Sequence, residues 1–423
     1  MRKLIAPFLT NQIQHDAIIG HPSVSNSVEW IFTNHFPMTI QTKIAALAIV
    51  FAMLCSFGGC SQHETKELII VGTFDGGGSE GLYVFSFDRE ELSFELLQTI
   101  SDRLAPSFQA VHPNMPVVYS ASRSPISIDS DHQTIGAYRA DKETGMLSLI
   151  NEQSVMGISP AHVSVDPLGS FVYVSNYTSG NVSMYPTRDD GGLEAASDVV
   201  QHSGSSINPN RQQRAHAHAA DPSPDGRFLY VSDLGMDKIM IYEVDRQQNA
   251  LIPASPPWFE NTPGAGPRHL TISADGAYAY SAEELTSTIA VLKVDTNTGA
   301  LRQVQRVSML PDYFEGNSTA ADIHLSPDGY FLYASNRGHD SLVIFAVDPS
   351  TGKLSLVGHE STIGKHPRNF MIDENGEFVF VANRDNNHIV LFRRNPTTGE
   401  LTFTGVEVSV PRAVCVTGMA RYP

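Results

Sequence analysis

The chain has 423 residues, 41% hydrophobic and only 17% charged, with 32 glycines and 25 prolines, a profile that excludes a disordered chain or a coiled coil and fits a turn-rich, sheet-rich protein. Its formal net charge of -17 argues against nucleic acid or an anionic membrane surface as a partner of the protein body, although a local basic pocket can still hold an anion. The three cysteines, Cys55, Cys60 and Cys415, give no disulfide framework, and no CxxC metal motif occurs.

The chain opens with a segment unlike the rest. Residues 1–37 match no export signal, and Met38 stands where a signal would begin, so translation is expected to start there. Lys43 precedes an apolar run from Ile44 to Phe57, which falls short of the roughly 20 residues that span a bilayer. Gly58, Gly59 and Cys60 follow, and this order of positive residue, short apolar run and small residues predicts a secretory leader. The FGGC ending resembles a bacterial lipoprotein cleavage site, with Cys60 the lipidated first residue of the mature chain. Phe57 stands where leucine is usual, and a plain signal peptide cleaved elsewhere is the alternative. The expected division is a leader over 1–60 and a domain over 61–423, exported to the periplasm or membrane-anchored through Cys60, or cytoplasmic if the leader does not function.

After the leader the sequence repeats. The strands LIIVGT, VVYSAS, FVYVSN, FLYVSD, YAYSAE, FLYASN and FVFVAN start at Leu68, Val117, Phe171, Phe228, Tyr278, Phe331 and Phe378, spaced 49, 54, 57, 50, 53 and 47 residues apart. Alternating apolar residues with β-branched and aromatic enrichment predict strand and not helix. A further β-rich strand follows each copy, as in KIMIYEVD or SLVIFAVD, and several run into TG turns such as DPSTGKL. Another strand precedes most copies, ending in DG or NG dipeptides that supply the positive φ of tight hairpins. LIIVGT lacks that preceding strand, and VCVTGMA, within Val414 to Ala420, is its expected partner. The first and last segments would then complete one blade and close a ring without free sheet edges. The predicted fold is all-β: a seven-bladed propeller of four-stranded blades.

Alignment of the repeats predicts which residues meet at one mouth of the central channel. The second position of each inner strand is expected to hold Ser107, Ala161, His216, Arg268, Ala321, Arg368 and Arg412. Beyond the next strand come Thr73, Ser122, Asn176, Asp233, Glu283, Asn336 and Asn383, several followed by another reactive group such as Glu284, Arg337 or Arg384. His216 and His218, two apart in a strand, should share a face, whereas the adjacent Arg268 and His269 should point to opposite faces. Salt bridges between blades, through Asp233, Asp322 or Glu283, are the plain alternative for the arginines, and a hydrogen-bonded pair between blades is the alternative for the histidines. The GGGSEG run from Gly76 to Gly81 precedes no predicted helix and reads as a loop, not a phosphate cradle. Neither a metal nor another cofactor is expected, because no HExxH-type spacing occurs.

The stretches RAHAHAADPSPDGRFLYVSDLGMDKIMIYEVD, GPRHLTISADGAYAYSAEELTSTIAVLKVD and IHLSPDGYFLYASNRGHDSLVIFAVDPSTGKL resemble the lactonase family of seven-bladed propellers. That family includes bacterial 6-phosphogluconolactonases and carboxymuconate cycloisomerases. The likeness runs from about Leu68 to the end and rests on the HAH, GPRH, EL and SNRGHDS motifs together. It implies a catalytic set at one channel mouth of His216 or His218 from the HAH motif, Arg268 and Glu284, with Arg337 as a further anion-binding candidate; Asp233, His269, Glu283, Asn336 and Arg368, from the same stretches and the repeat register, are the other substrate-binding candidates. Glu283 departs from the asparagine frequent there, and the extra carboxylate could change charge preference or raise a neighbouring pKa by repulsion. Lactone opening needs water, a base and positive charge for the oxyanion, roles expected of Glu284 or a channel histidine and of Arg268. A 6-phosphorylated lactone would suit Arg337, Arg368 and Arg412, whereas export points to an unphosphorylated one. A cycloisomerase, or a non-catalytic binding propeller tethered to the envelope, is the other reading, and a monomer is expected.

Overall fold

The computed structural model describes residues 66–101, 105–123 and 133–420, and the expected leader with Cys60 lies outside them. The chain enters through β1 (Lys66–Thr73), β2 (Leu82–Asp88) and β3 (Ser93–Ile100), three strands of blade 1. Blade 2 follows with β4 (Pro106–Val111), β5 (Val117–Ser122), β6 (Thr134–Ala140) and β7 (Leu147–Ser154). Blade 3 is built from β8 (Pro160–Val165), β9 (Phe171–Asn176), β10 (Asn181–Pro186) and β11 (Asp198–Gln201). Blade 4 has β12 (Ala217–Pro222), β13 (Phe228–Asp233), β14 (Lys238–Asp245) and β15 (Ala250–Glu260). Blade 5 comprises β16 (Pro267–Ile272), β17 (Tyr278–Glu283), β18 (Thr288–Val294) and β19 (Leu301–Ser308). In blade 6 the order is β20 (Thr319–Leu325), β21 (Phe331–Arg337), β22 (Ser341–Val347) and β23 (Leu354–Ser361). Blade 7 ends the series with β24 (Pro367–Ile372), β25 (Phe378–Asn383), β26 (His388–Arg394) and β27 (Leu401–Ser409). The last strand, β28 (Ala413–Ala420), returns to blade 1 and pairs antiparallel with β1, Ile69 opposite Gly418 and Ile70 opposite Thr417. The ring closes as the repeat predicts, with seven four-stranded antiparallel blades.

The second strand of each blade is apolar on both faces because both faces are covered. In β25, Phe378, Phe380 and Ala382 pack towards blade 1, while Val379 and Val381 pack towards blade 6. The two-residue period of a strand produces that split. Every interface between neighbouring blades holds such a cluster, and where the ends of the ring meet, Phe87 lies edge-on to Phe378 and Phe380 at 5.7 and 5.1 Å. The tyrosines of the repeat add a polar tie. Tyr119, Tyr280 and Tyr333 each donate from the hydroxyl to the carbonyl of a turn glycine one blade on, Gly191, Gly352 and Gly399, at 2.9, 3.0 and 2.6 Å. These turn glycines are therefore contact points between blades.

Candidate active site

A β-bulge aims one residue of each inner strand at the channel mouth. In β16, Pro267 pairs with Glu283 and His269 with Ala282, so Arg268 has no partner on β17. The same one-residue skip leaves out Ser107, Ala161, His218, Arg368 and Val414 in β4, β8, β12, β24 and β28. In β20 it places Ala321 and Asp322 together opposite Ser335. A bulge bends its strand and re-aims a side chain, and Ser107, Ala161, His218, Arg268, Arg368 and Val414 all line one cavity of about 490 Å³.

Three sequence expectations change for this reason. His216 precedes β12 and lies outside the cavity wall, stacked on Tyr177 with ring centroids 4.4 Å apart and Nδ1 donating to the Tyr177 carbonyl at 2.9 Å. Its expected place belongs to His218. Arg412 similarly gives way to Val414 and turns towards Asp385, 3.8 Å away. Arg268 and His269 both line the cavity, because the bulge breaks the alternation that would have separated them.

The second strands bring their own correction. Their last residues look between blades, and the residues that follow, Phe74, Arg123, Tyr177 and Glu284, line the mouth, as does Arg337. Asp233 is fully buried, its Oδ1 accepting from the backbone amides of His216, Gly235 and Met236 and its Oδ2 lying 2.8 Å from His202 Nδ1. Glu283 accepts from Arg306 Nε at 2.7 Å and from the Thr288 hydroxyl. Asn336 donates to the Met309 carbonyl at 2.9 Å, a tie repeated by Asn176 and Asn383. Asp233, Glu283 and Asn336 therefore hold the blades and do not line the site. Burial is what chiefly raises the Glu283 carboxyl, opposed by Thr288 and Arg306.

Glu284 is the centre of the mouth network. Arg211 Nη2 donates to its Oε1 at 2.5 Å, while Arg268 Nε and Arg337 Nη2 lie 3.1 and 2.9 Å from its Oε2. Burial alone would raise the carboxyl, but the guanidinium groups of Arg337, Arg268 and Arg211 outweigh it and hold Glu284 well below the usual carboxylate range. The geometry gives Glu284 a role as an anchor for three arginines, whose charges favour its ionised form. Arg268, 2% exposed, also donates from Nη1 to the Ala321 carbonyl at 2.5 Å. Burial and then Arg337 draw its pKa down to about 10, which leaves it charged at neutral pH.

Arg123 and Arg368 rest on one aromatic ring, their guanidinium carbons 5.2 and 4.9 Å from the centroid of Phe74. Such cation–π contacts hold a cation in place without neutralising it. Burial, then Arg268 and Arg337, push Arg368 well below the usual arginine value. Among the described residues the cavity wall thus carries five guanidinium groups, Arg123, Arg211, Arg268, Arg337 and Arg368, against the single carboxylate Glu284.

The two cavity histidines are neutral. Burial, followed by Arg268 and His269, holds His218 well below its usual value, and its buried Nδ1 has no hydrogen-bond partner. Burial and Arg268 lower His269 to about 4, against the opposing pull of Asp322. Among the described residues no group of three or more His, Cys, Asp or Glu side chains is placed to hold a metal ion, and no helix is long and apolar enough to cross a membrane.

Sequence reasoning missed Phe74, Arg123, Tyr177 and Arg211. Arg211 sits in the long connection between β11 and β12, outside the repeat register, and nothing in the alignment marks it. The bulge did leave a trace. Ser107, Ala161, His218, Arg268, Ala321 and Arg368 each stand seven residues before the hairpin-turn residues Asn114, Leu168, Asp225, Asp275, Asp328 and Asn375, so counting back from the turn finds His218 and not His216.

Comparison with known proteins agrees with this architecture. The family model described as lactonase, 7-bladed beta-propeller, matches residues 68–418. A 6-phosphogluconolactonase of Bacillus subtilis is 36% identical over 309 residues, 73% of this chain and 86% of that protein. One from Formosa agariphila is 37% identical over 311 residues, 72% and 86% of the two chains. Among solved structures, a periplasmic gluconolactonase of Pseudomonas aeruginosa superposes with a TM-score of 0.79 at 33% identity, covering 84% of this chain and 100% of that one. A putative 6-phosphogluconolactonase of Bacteroides fragilis gives 0.77 at 34% identity, covering 85% and 99%.

Proposed function

The chain belongs to the lactonase family of seven-bladed β-propellers and is a lactone hydrolase, and from that premise we propose that the arginine-lined mouth opens a sugar lactone bearing a second, anionic group, with a 6-phosphate the leading candidate. One observation carries this reading: among the described residues, five guanidinium groups stand against one carboxylate in a single cavity of a protein whose net charge is -17. Concentrated positive charge in a cleft recruits anions, and guanidinium groups match phosphate or carboxylate oxygens in planar pairs.

The roles divide by partner. Arg268 and Arg337, fixed by Glu284, supply donors to the lactone carbonyl and stabilise the oxyanion as water adds. Arg123 and Arg368, braced on Phe74, take the distant anion. Neutral His218 offers an uncharged contact to the sugar hydroxyls or the water, and proton transfer falls to a channel histidine.

Export is part of the proposal. We assign residues 1–60 to a leader and Cys60 to a lipid anchor, in keeping with the periplasmic relative. Cys60→Ala should move the protein from the membrane fraction to the soluble one, and an unchanged distribution would remove the anchor. In that envelope setting the anionic group could equally be a sugar carboxylate.

The deciding experiment measures ring opening by the full-length chain with a pH indicator, corrected for spontaneous opening. The substrates are 6-phosphogluconolactone and plain gluconolactone. Arg368→Ala and Arg123→Ala should each lower kcat/KM for the phosphorylated lactone about 100-fold, the order of two lost charge-assisted hydrogen bonds, with less than about 5-fold change on the plain one. Equal losses on both would end the anion-subsite assignment and leave an ordinary sugar lactonase.

A further inference from the structure

The channel does not end beneath the mouth. Phe108 and His269 form the floor of the cavity and also line a second space of about 270 Å³ that reaches the opposite end, bordered by His162, Asp221, Asp322 and His324. His269 thus stands at the waist of the channel, with one nitrogen on each side of a hydrogen-bonded chain.

Its tautomer follows from its neighbours. Arg268 Nη1, which can only donate, lies 3.1 Å from His269 Nε2, so Nε2 accepts. The ring proton is on Nδ1 and donates to Asp322 Oδ1 at 2.7 Å. The other oxygen of Asp322 accepts from His324 Nε2 at 2.9 Å, from Asn369 Nδ2 at 2.5 Å and from the Phe370 amide at 3.2 Å. The His324 side chain is 40% exposed at the far end, against the Phe370 ring at 4.8 Å. Asp322 is buried, and its charge is therefore shared between a histidine facing the substrate cavity and one facing solvent. His218 has no such carboxylate behind it.

We propose that His269 is the general base of lactone opening, and that Asp322 and His324 are positioning residues that set its tautomer and basicity from the far end of the channel. The inference rests on the hydrolase reading above and names the histidine that reading left open. When the lactone carbonyl takes the Arg268 donor, His269 Nε2 is free to accept from water. The water oxygen bonds to the carbonyl carbon as its proton passes to Nε2, giving an imidazolium beside Asp322 and an oxyanion among the arginines. Collapse breaks the bond between that carbon and the ring oxygen, and the ring oxygen takes the proton back from Nε2. The products are the hydroxy acid and a neutral His269; Asp322 keeps its charge throughout, as in other carboxylate-oriented histidines.

The charged and titratable groups around His269 are Arg268 on its own strand, His218 on β12, His162 on β8, Asp322 on β20 and Arg368 on β24. Burial and then Arg268 keep its pKa low, and an anionic substrate would offset the cations. His324 faces Asp322, with Asp221 and His162 across the same space. Burial lowers His324, but the Asp322 charge outweighs it and favours the imidazolium. That second positive charge draws on the carboxylate that steadies His269. Removing it should make His269 a stronger base.

Kinetics on the full-length chain test this. His269→Gln should lower kcat at least about 100-fold with KM within about 3-fold, the contribution of a placed general base, and imidazole should restore activity to His269→Ala. His324→Gln keeps a donor to Asp322 and removes the titrating charge. Its acid limb of kcat/KM should move up by about half to one pH unit, since the rate rises as His269 loses its proton and its pKa has increased. Asp322→Asn should fall as far as His269→Gln; because Asp322 is tied to β24, the first two variants carry the test if it does not fold. His269→Gln retaining more than a tenth of wild-type kcat, or an unmoved limb in His324→Gln, would overturn the inference while Arg368→Ala still impaired the phosphorylated substrate. A wild-type chain that opened no lactone would end both proposals.

Discussion

Buried charge between the blades and buried charge at the channel mouth do different work in this propeller. Between blades, Asp233 and Arg394 each meet their own complement. Asp233 takes three backbone amides and His202, and Arg394 meets Asp328, the Tyr333 hydroxyl and the Gly376 carbonyl. At the mouth Glu284 alone answers three arginines, and Arg123 and Arg368 rest on a phenyl ring. Both regions bear the cost of taking charge out of water. Only the mouth keeps a surplus of one sign, and a surplus held by rigid strands is a binding site for the opposite sign.

The comparison can be broken from either side. The largest effect should come from the balanced region: Asp233→Ala strips His202 and three amides of their acceptor and should cost about 3–5 kcal/mol of stability, read by denaturant unfolding, with kcat of the folded fraction within about 3-fold. If activity instead vanished from a stable protein, the division between the two regions would fail. Next, Arg268→Ala at the mouth should lower turnover about 100- to 1000-fold with the sheet circular dichroism unchanged; wild-type turnover would remove Arg268 from the chemistry. The smallest effect belongs to the register question. His216→Ala, behind Tyr177, should change kcat/KM by less than about 3-fold, and His218→Ala, in the cavity wall, by about 10-fold or more. The reverse order would restore His216 to the site.

Much of this was open to reading in the sequence because it is local or periodic. The strands show as two-residue alternation, the blades as spacings near 50 residues, and ring closure as LIIVGT without an inner partner. Arg268, Glu284, Arg337, Arg368, His218 and His269 lie in motifs that the repeat brings to one face. The errors came where alternation was extended through a bulge: His216 for His218, Arg412 for Val414, and Arg268 set apart from His269. Asp233, Glu283 and Asn336 were misplaced by one residue, since the last residue of a second strand and the next one face different neighbours.

The sequence by itself determined the number of blades, the closing strand and the set of reactive residues, because hydrophobic period and turn chemistry act over a few residues. The tertiary structure alone decided which of those residues face the same space and which charges are already answered. Arg211 reaches Glu284 across 73 positions of sequence, and Asp322 meets Asn369 across 47. Contacts of that range exist only once the ring has closed, and they are what turns a row of arginines into a site with one ionised carboxylate and two neutral histidines.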